Sequence, residues 1–181
     1  MSEKYSVSPN GEKFPLPKPE DYKSEFETIS KRVSQERAKG REIVVVMGVS
    51  FVGAVMAAIV ADTVDRKGKP SKFVIGMQRP SVRSFWKIPM LNRGVSPVKA
   101  EDPEVDPMIA RCVKEKKTLM ATYTYDVLKL ADVVVVDVQC DYIKEELGNV
   151  RAGQTDMAAL EASLAVIAEH IPAKALVLIE T

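Results

Sequence analysis

Histidine and cysteine are scarce in this 181-residue sequence. His170 is the single histidine, which leaves too few imidazoles for a metal centre built on several histidines and makes Ser-His or Cys-His catalysis implausible. Cys112 and Cys140 lie 28 positions apart without a Cys-x-x-Cys pair, so neither a disulfide framework nor a zinc site is expected. Any catalysis is therefore expected to depend on other residues or on a bound cofactor.

An excess of one charge and long apolar runs are also missing. The 26 Lys and Arg against 25 Asp and Glu give a formal charge of +1, which lacks the basic surface needed for general nucleic-acid binding. No run reaches the roughly 18 apolar residues of a membrane span, and the opening MSEKYSVSPNGEKF has no signal-peptide core. We expect a cytoplasmic protein that binds neither nucleic acid nor membrane.

Continuous apolar runs alternate with helical patterns from residue 42 onward. Such runs, without period-two alternation, are typical of strands buried on both faces. They occur at Ile43–Met47, Phe73–Ile75, Val133–Val136 and Ala175–Ile179, with a shorter strand near 118–122. The helical segments are about 51–66, 81–92, 105–116, 123–130 and 156–170. This order predicts an α/β fold, a doubly wound, Rossmann-like parallel sheet, over residues 42–181.

Residues 1–41 form a separate part, a polar arm followed by an amphipathic helix. Four prolines fall within the first 19 residues, which is typical of an extended arm. Apolar residues then recur at helical spacing from Tyr22 to Val33, and Gly40 is a plausible stop for the helix. We favour a packing role for this helix over a partner-binding one.

The first strand leads directly into Gly48-Val49-Ser50-Phe51-Val52-Gly53, here called the phosphate turn, and a helix follows. In a Gly-x-Gly-x-x-Gly turn the first glycine permits the tight bend, the second admits a diphosphate, and the third lets helix and strand pack closely. Ser50 replaces the second glycine. Either the dinucleotide shifts outward or the hydroxyl donates to a phosphate oxygen. The alternative is a turn that serves packing alone.

An acidic residue is missing where the second strand ends. Gln78 stands there, followed by Arg79 and Arg83, whereas a carboxylate normally accepts hydrogen bonds from the adenosine ribose. An amide can still bind a ribose hydroxyl, and the arginines make a 2′-phosphate tolerable. We favour NAD and leave NADP open, and the arginines are equally well explained as solvated surface residues.

Several ordered segments resemble the UDP-glucose/GDP-mannose dehydrogenase family, the nucleotide-sugar dehydrogenases. The phosphate turn is similar to the family's Gly-x-Gly-Tyr-Val-Gly, and Leu91–Pro97 resembles its Leu-Asn-x-Gly-x-x-Pro loop. The other segments are Val74–Gln78, Ala121-Thr122 with Ala131–Val136, and Leu178–Thr181, which resemble its second strand, its strand-four entry and its Ser-Thr-Val-Pro motif. Arg83 matches a family lysine that helps to bind the adenosine end.

The resemblance implies the NAD-binding domain of an enzyme that oxidises the C6 alcohol of a UDP- or GDP-sugar to a carboxylate with two NAD. It places the nucleophilic cysteine and most sugar contacts in regions absent from this chain, and it implies a homodimer for the full-length enzyme. Val138-Gln139-Cys140-Asp141 replaces the family's Val-Pro-Thr-Pro. We expect Val138, Gln139 and Cys140, together with Thr181, to line the cofactor site, although a packing role is favoured for the Cys140 thiol.

Two other functions remain open from the sequence. One is another NAD(P)-dependent oxidoreductase, of the hydroxyacid or 6-phosphogluconate type, since these enzymes share the strand–turn–helix opening. The other is a non-catalytic dinucleotide-binding or assembly module. The long segment 141–155 is expected either to contact substrate or to be a surface excursion.

Overall fold

The computed structural model describes residues 4–149 and 151–180, and its N-terminal arm is an ordered hairpin followed by a helix. Strands β1 (Tyr5–Val7) and β2 (Lys13–Pro15) pair antiparallel, and helix α1 spans Asp21–Ala38. The helix ends as predicted, because Gly40 adopts a left-handed φ of 79° and its N–H donates to the Arg37 carbonyl.

A five-stranded parallel sheet forms the centre of the molecule, which confirms the predicted fold class. Its strands are β3 (Glu42–Met47), β4 (Lys72–Met77), β5 (Leu119–Thr122), β6 (Val133–Val136) and β9 (Leu176–Ile179). Their order is β5-β4-β3-β6-β9, and every pair is parallel. The middle strands are buried on both faces, which explains their unbroken valine and isoleucine runs.

Helices cover both faces of this sheet. Helices α2 (Phe51–Asp62), α3 (Lys87–Asn92) and α4 (Val105–Lys114) pack on one face. Helix α1, a 3-10 helix at Tyr125–Leu130 and helix α5 (Ala158–His170) pack on the other. Buried alanines along α2 bring this helix close to β4. Within the described residues, no helix is long and apolar enough to cross a bilayer.

Several predicted boundaries are wrong. Helix α2 ends at Asp62 instead of residue 66, because the Asp65 carboxylate accepts the amides of Lys67 and Lys69 and closes a turn there. Only 87–92 of the predicted helix 81–92 is helical, and 123–130 narrows to a 3-10 helix at 125–130. The helix predicted to begin at 156 begins at Ala158, whose amide donates to the Asp156 carboxylate.

The segment 141–155 is more regular than a loop. It contains an antiparallel hairpin of β7 (Asp141–Lys144) and β8 (Gly153–Asp156), which extends from the carboxyl end of β6. All four residues of β7 are exposed, including Tyr142 and Ile143. The hairpin is therefore a solvent-exposed projection beside the edge of the sheet where ligands are expected.

Candidate functional site

The strand order reverses between β3 and β6. From β3 the chain continues to β4 and β5 on one side, and it then returns to β6 and β9 on the other. In an open parallel sheet, ligands bind outside the carboxyl ends of the strands at this reversal. The two strand ends are tied here, since the Asp137 N–H donates to the Met47 carbonyl at 2.9 Å.

Two glycines of the phosphate turn occupy positions that exclude any side chain. Gly48 has a φ of 101°, and a Cβ placed on it would lie 2.0 Å from the Asp137 carbonyl oxygen. A Cβ on Gly53 would lie 1.8 Å from the Gly48 carbonyl oxygen. The glycines therefore let the backbone turn sharply between β3 and α2, close to the end of β6, and bring α2 against the turn.

The start of α2 faces the reversal. The first amides of a helix have no intrahelical acceptor and carry the positive end of its dipole, so they favour an anion. Phe51 and Val52 supply these amides, and their side chains are 63% and 49% exposed. With Val55, Met56 and Ile59 they line a shallow apolar groove of about 250 Å³ along α2.

Ser50 precedes α2, and its hydroxyl does not cap the helix. Instead its Oγ accepts a hydrogen bond from Lys87 Nζ at 2.8 Å. Lys87 is the first residue of α3, and burial lowers the pKa of its ammonium. Sequence reasoning missed this lysine because 37 positions separate it from Ser50 and only the fold joins them. The one available signal is its place in the segment that follows β4.

Gln78 is engaged by the phosphate turn itself. The side-chain Oε1 of Gln78 accepts the Val49 N–H at 3.1 Å, and the backbone N–H of Gln78 donates to the Thr122 carbonyl at 3.0 Å. Among the described residues the side-chain NH₂ has no hydrogen-bond partner, so it can donate to a ligand. Arg79 and Arg83 lie beyond it on the surface, and neither forms an ion pair within residues 4–149 and 151–180.

Two acidic residues, Asp137 and Glu180, lie at the same edge as these cations. The Asp137 Oδ2 would lie 2.4 Å from a Cβ on Gly53. Burial raises the pKa of the Asp137 carboxyl, repulsion by Glu180 adds to the shift, and the Gly53 backbone N–H counteracts it. The site thus combines positive potential from α2 and Lys87 with a carboxyl whose pKa is raised.

The remaining predicted site residues follow β6. Val138 and Cys140 are half-buried and pack against the core on the face that carries α1 and α5. Gln139 is exposed, and its amide donates to the Asp141 carboxylate at 2.7 Å. The contacts of Cys140 agree with the packing role favoured for its thiol. Thr181 lies outside the described residues.

A second concavity lies at the opposite edge of the sheet. This cleft of about 600 Å³ is lined by residues near the amino ends of β3, β6 and β9, among them Arg37, Arg41 and Lys174. Both arginines are engaged in ion pairs, Arg37 with Asp132 at 2.9 Å and Arg41 with Glu36 at 2.6 Å. Two of the three cations that line this cleft are therefore already partnered, so we keep the phosphate turn as the candidate site.

No protein-family model and no curated protein sequence matches this chain. Solved structures do match it. An NDP-N-acetyl-D-galactosaminuronic acid dehydrogenase from Methanosarcina mazei Go1 is 28% identical over 83% of the chain, with a TM-score of 0.65. A UDP-D-ManNAc dehydrogenase from Pyrococcus horikoshii is 25% identical over 76%, with a TM-score of 0.55. The chain resembles the nucleotide-sugar dehydrogenases.

A GDP-mannose dehydrogenase from Pseudomonas aeruginosa shares the fold at 22% identity and a TM-score of 0.58, over 75% of this chain. The resemblance expected from the sequence segments is therefore confirmed by structure. This chain covers only 29%, 28% and 27% of the Methanosarcina, Pyrococcus and Pseudomonas chains.

Proposed function

We propose that this chain is the NAD-binding domain of a nucleotide-sugar 6-dehydrogenase. The full-length enzyme would oxidise the C6 alcohol of a UDP- or GDP-sugar to a carboxylate with two NAD. The observation that carries this proposal is the phosphate turn, where Gly48 and Gly53 leave no room for a Cβ and the helix α2 begins at the strand reversal. The three solved structures named above, each a dehydrogenase of a nucleotide sugar, support it.

The residues at this edge fit a dinucleotide. The first amides of α2 would receive the diphosphate, and the Gln78 NH₂ would donate to the adenosine ribose. Arg79 and Arg83 would flank the adenosine end, while Val138, Gln139 and Cys140 would border the nicotinamide half. When bound, the cofactor supplies the hydride acceptor, and the chain's own contribution is to bind and orient it.

The specific cofactor we propose is NAD, and NADP is the alternative that Arg79 and Arg83 allow, since neither forms an ion pair with a described residue. An amide at position 78 does not repel a 2′-phosphate as a carboxylate would. Comparing the affinities of the two dinucleotides therefore tests this part of the proposal directly.

Neither cysteine of this chain suits the nucleophile that such an oxidation requires. Burial raises the pKa of the Cys112 thiol to about 11, which keeps it protonated, and Cys140 packs against the core. We therefore propose that the nucleophile and most sugar contacts belong to other parts of the enzyme and that this chain alone binds cofactor without turnover. A homodimeric, cytoplasmic full-length enzyme completes the proposal.

Calorimetry of this chain with NAD and NADP, followed by assay of the full-length enzyme with UDP- and GDP-sugars, tests the proposal. Heat of binding with NAD and NADH formation with a nucleotide sugar are the expected results. An enzyme that binds NAD but oxidises only hydroxyacids would establish the alternative oxidoreductase class. A chain that binds neither dinucleotide would establish a non-catalytic module.

A further inference from the structure

We propose that Lys87 is a diphosphate-binding residue and that Ser50 holds its ammonium group over the phosphate turn. This inference rests on the proposed dinucleotide binding and adds to it a residue that does not belong to the turn.

The contact gives the serine a role. Ser50 Oγ lies 2.8 Å from Lys87 Nζ, and the hydroxyl does not cap α2. A glycine at this position would offer the ammonium no acceptor. The side chain that departs from the usual glycine therefore fixes a positive charge beside the first amides of the helix, where a diphosphate is expected to lie.

Lys87 differs from the other half-buried cations of the molecule. Arg111 and Lys116 share the Asp62 carboxylate at 2.8 and 2.7 Å, whereas Lys87 forms no ion pair with any described residue. A partly desolvated cation without a counter-ion is costly. A phosphate oxygen bound beside Ser50 would supply the missing negative charge.

The segment that carries Lys87 is held in place before any ligand binds. The buried Ser6 hydroxyl of β1 accepts the Trp86 N–H at 3.1 Å, and the Lys87 N–H donates to the Ser84 carbonyl at 3.1 Å. Ile88, the next residue, is buried in the core. The N-terminal hairpin thus supports the start of α3, and the ammonium is presented without a loop closure.

The carboxyl groups at this edge favour a cation beside the phosphate turn when an anion binds there. Asp137 and Glu180 place carboxyl groups at the same edge, and an ionised Asp137 would repel a diphosphate bound at α2. The helix dipole alone contributes about half a positive charge. Lys87 adds a full charge on the side of the turn formed by Ser50.

The test compares Lys87→Met with Lys67→Met, a matched control in the exposed turn between α2 and β4. Each variant and the unchanged chain are titrated with NAD, ADP and adenosine. Because a hydrogen bond to a charged group is lost, we expect Lys87→Met to weaken NAD and ADP about ten- to a hundredfold. Adenosine, which has no phosphate, should bind the three proteins equally, and Lys67→Met should bind every ligand as the unchanged chain does.

Three results would overturn the inference. Unchanged NAD and ADP affinities in Lys87→Met would show that the lysine does not touch phosphate. An equal loss for adenosine would show that it only supports the fold. An unchanged chain that binds no dinucleotide would overturn the proposed function itself. If Lys87→Met does not fold, Ser50→Ala replaces it, with a several-fold loss for ADP expected and an unchanged ADP affinity as the contrary result.

Discussion

The steric role of Gly48 can be tested against a second glycine of similar conformation. Gly48 has a φ of 101° and Gly68 has a φ of 75°, so alanine at either position pays for a left-handed backbone, about 1–2 kcal/mol. Their surroundings differ. A Cβ on Gly68 has no neighbour within 4 Å, whereas a Cβ on Gly48 would lie 2.0 Å from the Asp137 carbonyl oxygen.

The overlap at Gly48 sets the difference between the two variants. Ordinary contact begins at 3.4 Å, so the ends of β3 and β6 must separate by more than 1 Å to admit the methyl group. That movement strains the bond between the Asp137 N–H and the Met47 carbonyl. Overpacking of this kind costs about 1–3 kcal/mol, so we expect Gly48→Ala to lose about 2–5 kcal/mol in total.

Urea unfolding at pH 7 measures both stabilities, and calorimetry with NAD measures the consequence for the site. Gly68→Ala should lose about 1–2 kcal/mol and keep the NAD affinity of the unchanged chain. Gly48→Ala should be the less stable of the two and should bind NAD at least tenfold more weakly, because the turn opens. Equal stability losses, or full NAD affinity in Gly48→Ala, would refute the close approach between this turn and β6.

Three further predictions concern buried groups. Glu36 is fully buried among Arg32, Lys39 and Arg41, so Glu36→Gln should lower the free energy of unfolding by about 3–5 kcal/mol in urea titration, and a loss below 1 kcal/mol would contradict a buried cluster. The raised pKa of the Asp137 carboxyl means that the folded chain keeps this proton at a pH above the ordinary pKa of 3.8. The stability that the protonated group contributes is lost as pH rises through the folded pKa, so Asp137→Asn should flatten this decline of the free energy of unfolding with pH. Parallel pH profiles of the free energy of unfolding for the two proteins would refute the assignment. The buried Cys112 thiol has a pKa raised to about 11, so it should be alkylated more slowly than the Cys140 thiol. Labelling with iodoacetamide at pH 8, followed by peptide mass spectrometry, measures both rates, and the reverse order would show that α4 opens.

The fold was predictable where the pattern is local and apolar. The middle strands β3, β4 and β6 are buried on both faces, so their apolar runs identify them. The run of β9 was predicted to be buried in the same way, but β9 lies at the edge of the sheet and exposes Leu176, Leu178 and Ile179. The hairpin over residues 141–156 was not predictable, because every residue of β7 is exposed and its strands carry no apolar periodicity. The end of α2 was also missed, since its stop depends on hydrogen bonds from the Asp65 carboxylate and not on proline or glycine at the boundary.

The candidate site, like the fold, was predictable from the sequence only in part. The phosphate turn lies in one continuous segment, so its glycines and the following helix could be read together. The Lys87 contact could not be, since α3 brings the ammonium to Ser50 from 37 positions away. The sequence also does not indicate that the Gln78 Oε1 accepts the Val49 N–H. Because this oxygen is occupied, the Gln78 side chain can offer ribose a donor and not an acceptor.

The departures from the family pattern are partnered within the chain, which argues against a degenerate turn. The serine that replaces glycine accepts a hydrogen bond from Lys87, and the glutamine that replaces aspartate holds the Val49 amide. Asp137, directly after β6, lies beside Gly53, whose backbone N–H counteracts the rise in the pKa of the Asp137 carboxyl. Substitutions that accumulate after loss of a ligand have no reason to acquire such partners at one edge of the sheet. These partners support the proposal that Ser50 and Gln78 belong to one altered anion site, to which Lys87 adds a positive charge.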